Sequence, residues 1–153
     1  MQPLATLPLF LPLEGRRAIV VGGSEAAAWK AELLSAAGAR VAVLSPEPCA
    51  EMEALAAGPP GGTLRLERRR WSGSDFEGAA LAVAAAEDES EAGAVFAAAR
   101  ARGVPVNVID RPAFCTFQFG AIVNRSPLVV GISTDGAAPV LGQAVRSRIE
   151  ALL

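Results

Sequence analysis

Residues 18–46, AIVVGGSEAAAWKAELLSAAGARVAVLSP, contain the pattern that decides the fold. A β-branched run turns on two glycines and passes into an alanine-rich stretch that ends at Gly38, after which a second apolar run begins. A strand, a tight turn, a helix and a second strand in this order are typical of a βαβ unit with parallel strands. The sequence therefore predicts a strand at 17–22, a helix at 25–37 and a strand at 40–45.

The same alternation of apolar runs and helical patterns continues through residue 110. Strand-like runs follow one another at 63–68, 80–86 and 105–110, and helical patterns occur near 47–57 and 88–102. Strands of about five residues that are linked by helices are typical of a parallel sheet. The sequence therefore predicts an α/β fold with a Rossmann-like parallel sheet that carries helices on both faces.

The pattern changes after residue 112. The stretch FCTFQFGAIVNRSPLVVGIST (114–134) contains two strand-like runs, 117–124 and 128–134, with no helix between them. They predict an antiparallel hairpin, and a helical pattern follows from Pro139 to the end of the chain. We therefore predict a Rossmann-like domain at 1–112, followed at 113–153 by antiparallel strands and a C-terminal helix.

Composition limits the classes of function. Of the 153 residues, 52% are apolar and 20% are charged, and the net charge is −2. This balance is typical of a globular protein and argues against a basic nucleic-acid-binding surface. The two cysteines lie far apart, and we find neither a signal peptide nor a run of about 18 apolar residues that would span a membrane. We therefore expect a cytoplasmic protein with no membrane or nucleic-acid partner.

The chain contains no histidine, which is the commonest general base and the commonest metal ligand. Proton chemistry would therefore fall to Asp, Glu, Cys, Lys or a hydroxyl, and we predict no metal site. Asp110 is a candidate because it closes a predicted strand at the edge of the sheet where open α/β folds bind ligands. The alternative is that Asp110 only caps a turn before Arg111 and Pro112.

The glycine turn has the spacing of a dinucleotide-binding fingerprint, whose three glycine positions are occupied by Gly22, Ser24 and Ala27. Ser24 departs from the pattern, because its Cβ would crowd a phosphate although its hydroxyl could donate to one. A tight turn that binds nothing is the alternative. Ser45 stands where an acid usually contacts the ribose, Glu47 follows it, and no neighbouring arginine would meet a 2′-phosphate, which favours NAD over NADP.

Three segments of the chain, taken in order, carry a more specific resemblance: residues 7–46, 106–134 and 135–152. The middle segment contains an Asn-x-x-Asp element that ends at Asp110, then Phe-x-Phe, an Arg-x-x-Leu-Val turn and an Ile-Ser-Thr strand. Together the segments resemble the precorrin-2 dehydrogenase module of siroheme synthases over nearly the whole chain.

The resemblance implies NAD-dependent oxidation of the tetrapyrrole precorrin-2 to sirohydrochlorin in siroheme biosynthesis, by a homodimer whose antiparallel strands cross between subunits. Asp110 matches the catalytic aspartate of that family. The positions that match its nucleotide contacts are Gly22, Gly23, Ser24, Glu25, Ala26, Ser45, Pro46 and Glu47. Ser133 and Thr134 are candidates for substrate contact, although capping the loop before the last helix is an equal alternative.

Departures from the family keep other hypotheses open. Serine, tryptophan and glycine stand at positions 24, 29 and 120, where the family has glycine, arginine and proline. Asp135 introduces a carboxylate before the last helix, Ala138 lacks the usual hydroxyl, and the sequence ends at Leu153, before the helical domain of that family. One alternative is therefore a dimeric nucleotide- or tetrapyrrole-binding module without turnover. Another is a sirohydrochlorin ferrochelatase, because some members insert iron.

Overall fold

The computed structural model describes residues 2–153, which divide into two compact units. The larger unit comprises Pro12–Phe117. The smaller unit combines residues 2–11 with Gln118–Leu153. No helix within residues 2–153 is long and apolar enough to cross a bilayer.

The larger unit contains a five-stranded parallel sheet with the strand order β3-β2-β1-β4-β5. Its strands are β1 (Arg17–Val21), β2 (Arg40–Leu44), β3 (Thr63–Glu67), β4 (Leu81–Ala84) and β5 (Val106–Val108). The helices that connect them are α1 (Glu25–Ala36), α2 (Ala50–Ala57) and α3 (Glu89–Arg100). The predicted parallel α/β sheet is therefore confirmed, with a strand order that reverses between β1 and β4.

The core lies on both faces of the sheet, and the central strand β1 contributes buried side chains to each face. Ile19 and Val21 of β1 belong to one apolar cluster with Val95 and other buried residues of α3. Since neighbouring strand residues point to opposite faces, Ala18 and Val20 face away from this cluster, and both are fully buried. Helix α1, which contacts β1 and β2, buries Ala27, Ala28, Ala31 and Leu34. The sheet thus carries helices on both faces.

Two elements of the larger unit are shorter than the sequence predicts. Helix α2 begins at Ala50, not at 47, because the chain first passes the glycine turn, where the Cys49 backbone nitrogen donates to Gly23 O at 2.8 Å. Strand β5 ends at Val108, not at 110, because the chain turns at Asp110. Both differences fall at the carboxyl edge of the sheet.

The smaller unit contains an antiparallel hairpin of β6 (Ala121–Arg125) and β7 (Leu128–Ile132), followed by α4 (Pro139–Leu152). The hairpin and the last helix confirm the prediction, but the first strand does not begin at 117. Within the larger unit, residues 115–117 instead lie along β5, where Thr116 N donates to Val106 O and Asn107 Nδ2 donates to Phe117 O. Gly120 lies so close to the Ile132 carbonyl that a Cβ would not fit without a shift of the backbone.

A hydrogen-bonded ion pair fixes the connection between β3 and β4. The guanidinium of Arg69 donates to both carboxylate oxygens of Asp75, at 2.7 and 2.9 Å, and the backbone nitrogen of Ser72 donates to Asp75 Oδ2 at 2.7 Å. The hydrogen bonds from Arg69 are the main reason that the pKa of Asp75 is lowered to about 2. The next residue, Phe76, is fully buried in the core.

This network gives a testable dependence of stability on pH. Because its pKa is lowered in the folded state, ionised Asp75 stabilises the fold at neutral pH, and this contribution is lost as the pH falls from about 4 towards 2. We expect Asp75→Asn to lower the free energy of unfolding at pH 7 by about 1–3 kcal/mol, since it weakens the bonds with the partly buried donors. Urea denaturation at several pH values would measure both effects.

Glu53→Gln is the matched control, because the Glu53–Arg68 ion pair is exposed on both sides. Such pairs contribute about 0–1 kcal/mol. Equal effects of the two substitutions, or an Asp75→Asn effect that persists unchanged at pH 2, would contradict the interpretation.

Candidate functional site

A cleft of about 450 Å³ opens at the carboxyl edge of the parallel sheet. It is lined by Ser24, Ala26, Ala85, Ala86, Ile109, Asp110 and Arg111. These residues follow the ends of β1, β4 and β5, and so the cleft lies where the strand order reverses. Open α/β sheets bind ligands at such switch points.

The glycine turn leads to Ser24 and Ala26 on the cleft wall, and its own backbone is tightly packed. Gly22 has a φ of 96°, and a Cβ there would lie 2.7 Å from the Ala85 carbonyl oxygen. A Cβ on Gly23 would lie 2.5 Å from Ser45 Oγ and 2.6 Å from Pro48 Cα. The first glycine is thus required by the backbone conformation and the second by the close approach of the 45–48 segment.

Ser24, the departure from the fingerprint, is the N-cap of α1. Its backbone is extended, and its Oγ accepts a hydrogen bond from Ala27 N at 3.3 Å. The side chain is exposed at the cleft, followed by the first helical residues Glu25 and Ala26. The first backbone N–H groups of a helix lack carbonyl partners within the helix and favour anions. Ser24 therefore has a structural role in starting α1, and its predicted contact with a phosphate stays a prediction.

The segment after β2 presents an acid rather than a serine to solvent. Ser45 is only 3% exposed, and its hydroxyl lies against Gly23. Pro46 and Glu47 are both exposed. Of the three residues predicted to meet a ribose, Glu47 is thus the one with an accessible polar side chain.

Asp110 lies in a tight turn directly after β5. Arg111 N donates to Val108 O at 3.1 Å, and Asp110 has a φ of 59° at the third position of this turn. Type II turns require a positive φ at that position, which asparagine and aspartate tolerate better than most residues. The turn exposes Asp110 and makes it part of the cleft lining.

Cys115 and Asn107 support this turn from the returning segment. The Cys115 thiol lies 3.2 Å from Val108 O and 3.4 Å from Arg111 O, and donates to both carbonyls that flank Asp110. Burial raises the pKa of Cys115, against a smaller opposing effect of the Val108 hydrogen bond, so the thiol remains a donor at neutral pH. Asn107 bonds to the Phe117 carbonyl at 2.9 Å and is structural.

Lys30 is a charged group on α1 that the sequence analysis did not single out. It lies on α1 four residues after Ala26, and its side chain is half-buried. Burial lowers the pKa of Lys30, and the attraction of Asp110 opposes that change. The signal was available in the sequence, since Lys30 is its single lysine and follows the glycine turn by two helical turns.

The remaining candidates, Ser133 and Thr134, lie in the smaller unit. Ser133 Oγ accepts a hydrogen bond from Asp135 N at 3.2 Å, as expected if it caps the loop. Asp135 has a φ of 52°, and its carboxylate accepts hydrogen bonds from Thr6 and Gln118. This carboxylate therefore holds the loop and the N-terminal segment together. Substrate contact by Ser133 and Thr134 stays a prediction.

Within residues 2–153 we find no group of three or more His, Cys, Asp or Glu side chains that could hold a metal ion.

Comparison with known proteins connects this cleft to a family. A protein-family model described as "Putative NAD(P)-binding" matches residues 9–121, which include the glycine turn and Asp110. The structure of SirC, a precorrin-2 dehydrogenase, resembles this chain with a TM-score of 0.72 and 25% sequence identity. The match covers 97% of this chain and 71% of SirC.

Curated relatives match the chain over part of their own length. A siroheme synthase of Ectopseudomonas mendocina is 49% identical over 144 residues, and one of Pseudomonas aeruginosa is 50% identical over 144 residues. In both cases the match covers 94% of this chain and 30% of the relative. The chain thus spans about 30% of the length of these relatives.

The packing of the glycine turn can be tested by adding one methyl group. We expect Gly23→Ala to lower the free energy of unfolding by about 1–3 kcal/mol, because the Cβ can fit only if the 45–48 backbone moves. Urea denaturation would measure the loss.

Gly58→Ala is the control, since a Cβ there meets nothing within 4 Å and the φ is negative. We expect its effect to stay within about 0.5 kcal/mol. If Gly23→Ala were equally harmless, the close approach of the 45–48 segment would not constrain the turn.

Proposed function

We propose that this chain, which belongs to the family described as putative NAD(P)-binding, binds NAD and dehydrogenates precorrin-2 to sirohydrochlorin in siroheme biosynthesis. One observation carries the proposal: the glycine turn and Asp110 lie on the same cleft at the switch point of the sheet. The siroheme synthases and SirC supply the substrate class by analogy. Because the chain spans about 30% of the siroheme synthases, its activity and substrate are our inference.

The glycine turn fits a dinucleotide. The positive φ of Gly22 and the bare Cα of Gly23 provide a side-chain-free turn, and α1 begins directly after it. We assign the pyrophosphate to the backbone N–H groups of residues 24–26, where the helix dipole favours negative charge. Gly22 and Gly23 allow the backbone to approach the pyrophosphate, and the Ser24 hydroxyl lies at the same edge of the sheet.

The segment after β2 favours NAD over NADP. We assign the adenosine ribose to Ser45, Pro46 and Glu47, with Glu47 supplying the exposed carboxylate. A carboxylate accepts hydrogen bonds from ribose hydroxyls but repels a 2′-phosphate. This supports NAD as the cofactor.

Asp110 is the proposed proton acceptor. Dehydrogenation removes two electrons and two protons from the substrate; NAD⁺, when bound, would supply the acceptor for a hydride, which carries one of the protons and both electrons. The second hydrogen leaves as a proton, which the Asp110 carboxylate accepts. The chain offers no histidine for this step, and Asp110 is the one carboxylate in the cleft lining. Ser133 and Thr134 are proposed substrate contacts.

A reducing, cytoplasmic location is also proposed. Cys49 and Cys115 are both free, and the Cys115 thiol donates to the two carbonyls that flank Asp110. Oxidation would remove this donor. The turn that presents Asp110 therefore favours a compartment in which thiols stay reduced.

We further propose that the chain forms a homodimer through the smaller unit. A two-stranded sheet is marginally stable alone, and Val129 is 43% exposed on the face of the hairpin opposite the fully buried Val123. Apart from Trp29, the most exposed large apolar side chains all belong to this unit: Leu4, Leu7, Leu9, Phe10, Leu11, Leu128, Val129, Val140, Leu141, Leu152 and Leu153. A second copy would cover such a surface by symmetry.

Dimerisation is tested by mass. We expect light scattering at micromolar concentration to give twice the chain mass of 15.7 kDa, and Val129→Glu to give a monomer because it introduces charge on the uncovered face. Trp29→Ser removes an exposed apolar side chain from the larger unit and should leave the mass unchanged. A monomeric wild type would contradict the proposal.

The catalytic assignment is tested by Asp110→Asn. We expect anaerobic NADH production from precorrin-2 to fall by about 10²–10⁴, the usual loss when a general base is removed. Asparagine also tolerates the left-handed conformation, so the melting temperature should change little. NAD affinity, measured by calorimetry, should stay within a small factor because the nucleotide is assigned to other strand ends.

Each alternative has its own outcome. Normal turnover by Asp110→Asn would make Asp110 a turn residue, and a collapse of NAD binding would move it into the nucleotide site. An inactive wild type that still binds NAD or the tetrapyrrole would support the binding module without turnover. Iron insertion into sirohydrochlorin without NADH production would support a ferrochelatase.

A further inference from the structure

Arg111 supplies the positive charge of the cleft. Among the described residues that line the cleft, Arg111 is the one cation, and it directly follows Asp110, the one carboxylate. Arg111 is half-buried, whereas Asp110 is exposed. A guanidinium stays charged at any physiological pH and offers five N–H donors in a planar fork. The cleft therefore carries a proton acceptor and an anion-binding group on adjacent residues.

The backbone of Arg111 is already used within the fold. Its N–H donates to Val108 O at 3.1 Å, and its carbonyl accepts hydrogen bonds from Phe114 N at 2.9 Å and from the Cys115 thiol at 3.4 Å. The next residue, Pro112, begins a short 3₁₀ helix. Three hydrogen bonds thus fix the base of the Arg111 side chain, and the polar group that is left for a ligand is its guanidinium.

That guanidinium has no partner among residues 2–153. Its N–H groups form no hydrogen bond and no ion pair there, not even with the neighbouring carboxylate of Asp110. By contrast, Arg69, Arg102 and Arg146 each form an ion pair with a glutamate or aspartate. Partial burial of a charge without a partner costs free energy. An unpaired cation on a cleft wall therefore points to an anionic ligand.

Two anionic groups are candidates for this position. One is the pyrophosphate of NAD, which we assign to the start of α1 after β1. Arg111 instead follows β5, and β4 lies between β1 and β5, so the two strand ends are about 10 Å apart. The other is a carboxylate side chain of the tetrapyrrole, which has to reach Asp110, the residue next to Arg111. The position of Arg111 in the sheet thus favours the substrate.

We propose that Arg111 is a specificity-determining residue that binds a carboxylate side chain of the tetrapyrrole substrate beside Asp110. This inference rests on the proposed dehydrogenase function for the identity of the substrate. Precorrin-2 carries several acetate and propionate groups, and a guanidinium can donate two parallel hydrogen bonds to a carboxylate. Asp110 takes the proton, and Arg111 selects and holds the ring that loses it.

The contact can be tested by binding, without turnover. Sirohydrochlorin, the proposed product, keeps the carboxylates of the substrate and serves as the probe in an anaerobic equilibrium dialysis. We expect Arg111→Gln to weaken its binding by about 10–100-fold, the usual contribution of hydrogen bonds to a charged group. Arg111→Lys keeps the charge but loses the planar fork, so its affinity should lie between the two. Added salt should reduce the difference between wild type and Arg111→Gln, because it screens charges.

Arg16→Gln is the matched control, because it removes the same charge elsewhere. Arg16 is exposed and lies just before β1, at the opposite end of the sheet. Its substitution should leave the affinity for sirohydrochlorin at the wild-type value. Since the Arg111 side chain forms no hydrogen bond or ion pair within residues 2–153, Arg111→Gln should also keep the wild-type melting temperature. A loss of binding would then not reflect a folding defect.

The kinetic consequence appears in KM for precorrin-2. A carboxylate contact away from the reacting carbon is made both in the ground state and in the transition state, so its loss raises KM more than it lowers kcat. We therefore expect Arg111→Gln to raise KM for precorrin-2 and to leave NAD affinity unchanged. Asp110→Asn should show the opposite pattern, a low kcat with little change in KM.

The remaining outcomes separate the two proposals. Unchanged sirohydrochlorin binding by Arg111→Gln would overturn the contact, and weaker NAD binding in its place would assign the guanidinium to the nucleotide. Equal losses in Arg111→Gln and Arg16→Gln would reduce the effect to net charge and also overturn it. A wild type that binds sirohydrochlorin through Arg111 but yields no NADH would contradict the dehydrogenase function and leave the contact standing. A wild type that binds no tetrapyrrole would overturn both proposals.

Discussion

The backbone crowding at Gly22 and Gly23 is the constraint on which the site depends. Gly22 N donates to Leu44 O at 2.9 Å, Ala85 N donates to Val21 O at 2.9 Å, and Cys49 N donates to Gly23 O at 2.8 Å. These bonds draw the chain that follows β2 and β4 against the turn that follows β1. A side chain at either glycine would push the strand ends apart. The start of α1, the exposed Glu47 and the Ala85 wall of the cleft all follow from this packing.

The opposite wall depends on a second local feature, the early end of β5. Three residues form the strand, after which the chain turns and returns along it, held by Thr116 and Asn107. This return brings the Cys115 thiol to both carbonyls of the Asp110 turn. A longer β5 would have carried Asp110 along the sheet instead of into the cleft. The packing of residues 115–117 against β5 thus orients the side chain of Asp110.

The sequence predicts the strands and helices of the parallel sheet better than the local features that depart from this pattern. The β-branched runs and the alanine-rich helices predict the parallel sheet, because burial on both faces requires nearly continuous apolar strands. The predicted start of β6 at residue 117 was wrong. Residues 117–120 are as apolar as a strand, but the carbonyl of Phe117 already accepts a hydrogen bond from Asn107 beside β5. The sequence did not predict the burial of Ser45, because that burial depends on packing between segments distant in sequence.

Two aspartates in residues 2–153 have a left-handed backbone, and their surroundings differ in a way that bears on function. A non-glycine residue in this conformation costs about 1 kcal/mol or more and persists where its surroundings hold it. At Asp135 the carboxylate accepts two side-chain hydrogen bonds that compensate locally. At Asp110 the carboxylate instead lines a cleft. Strained residues of this kind cluster at functional sites, and Asp110 is the one of these two aspartates that lines the cleft.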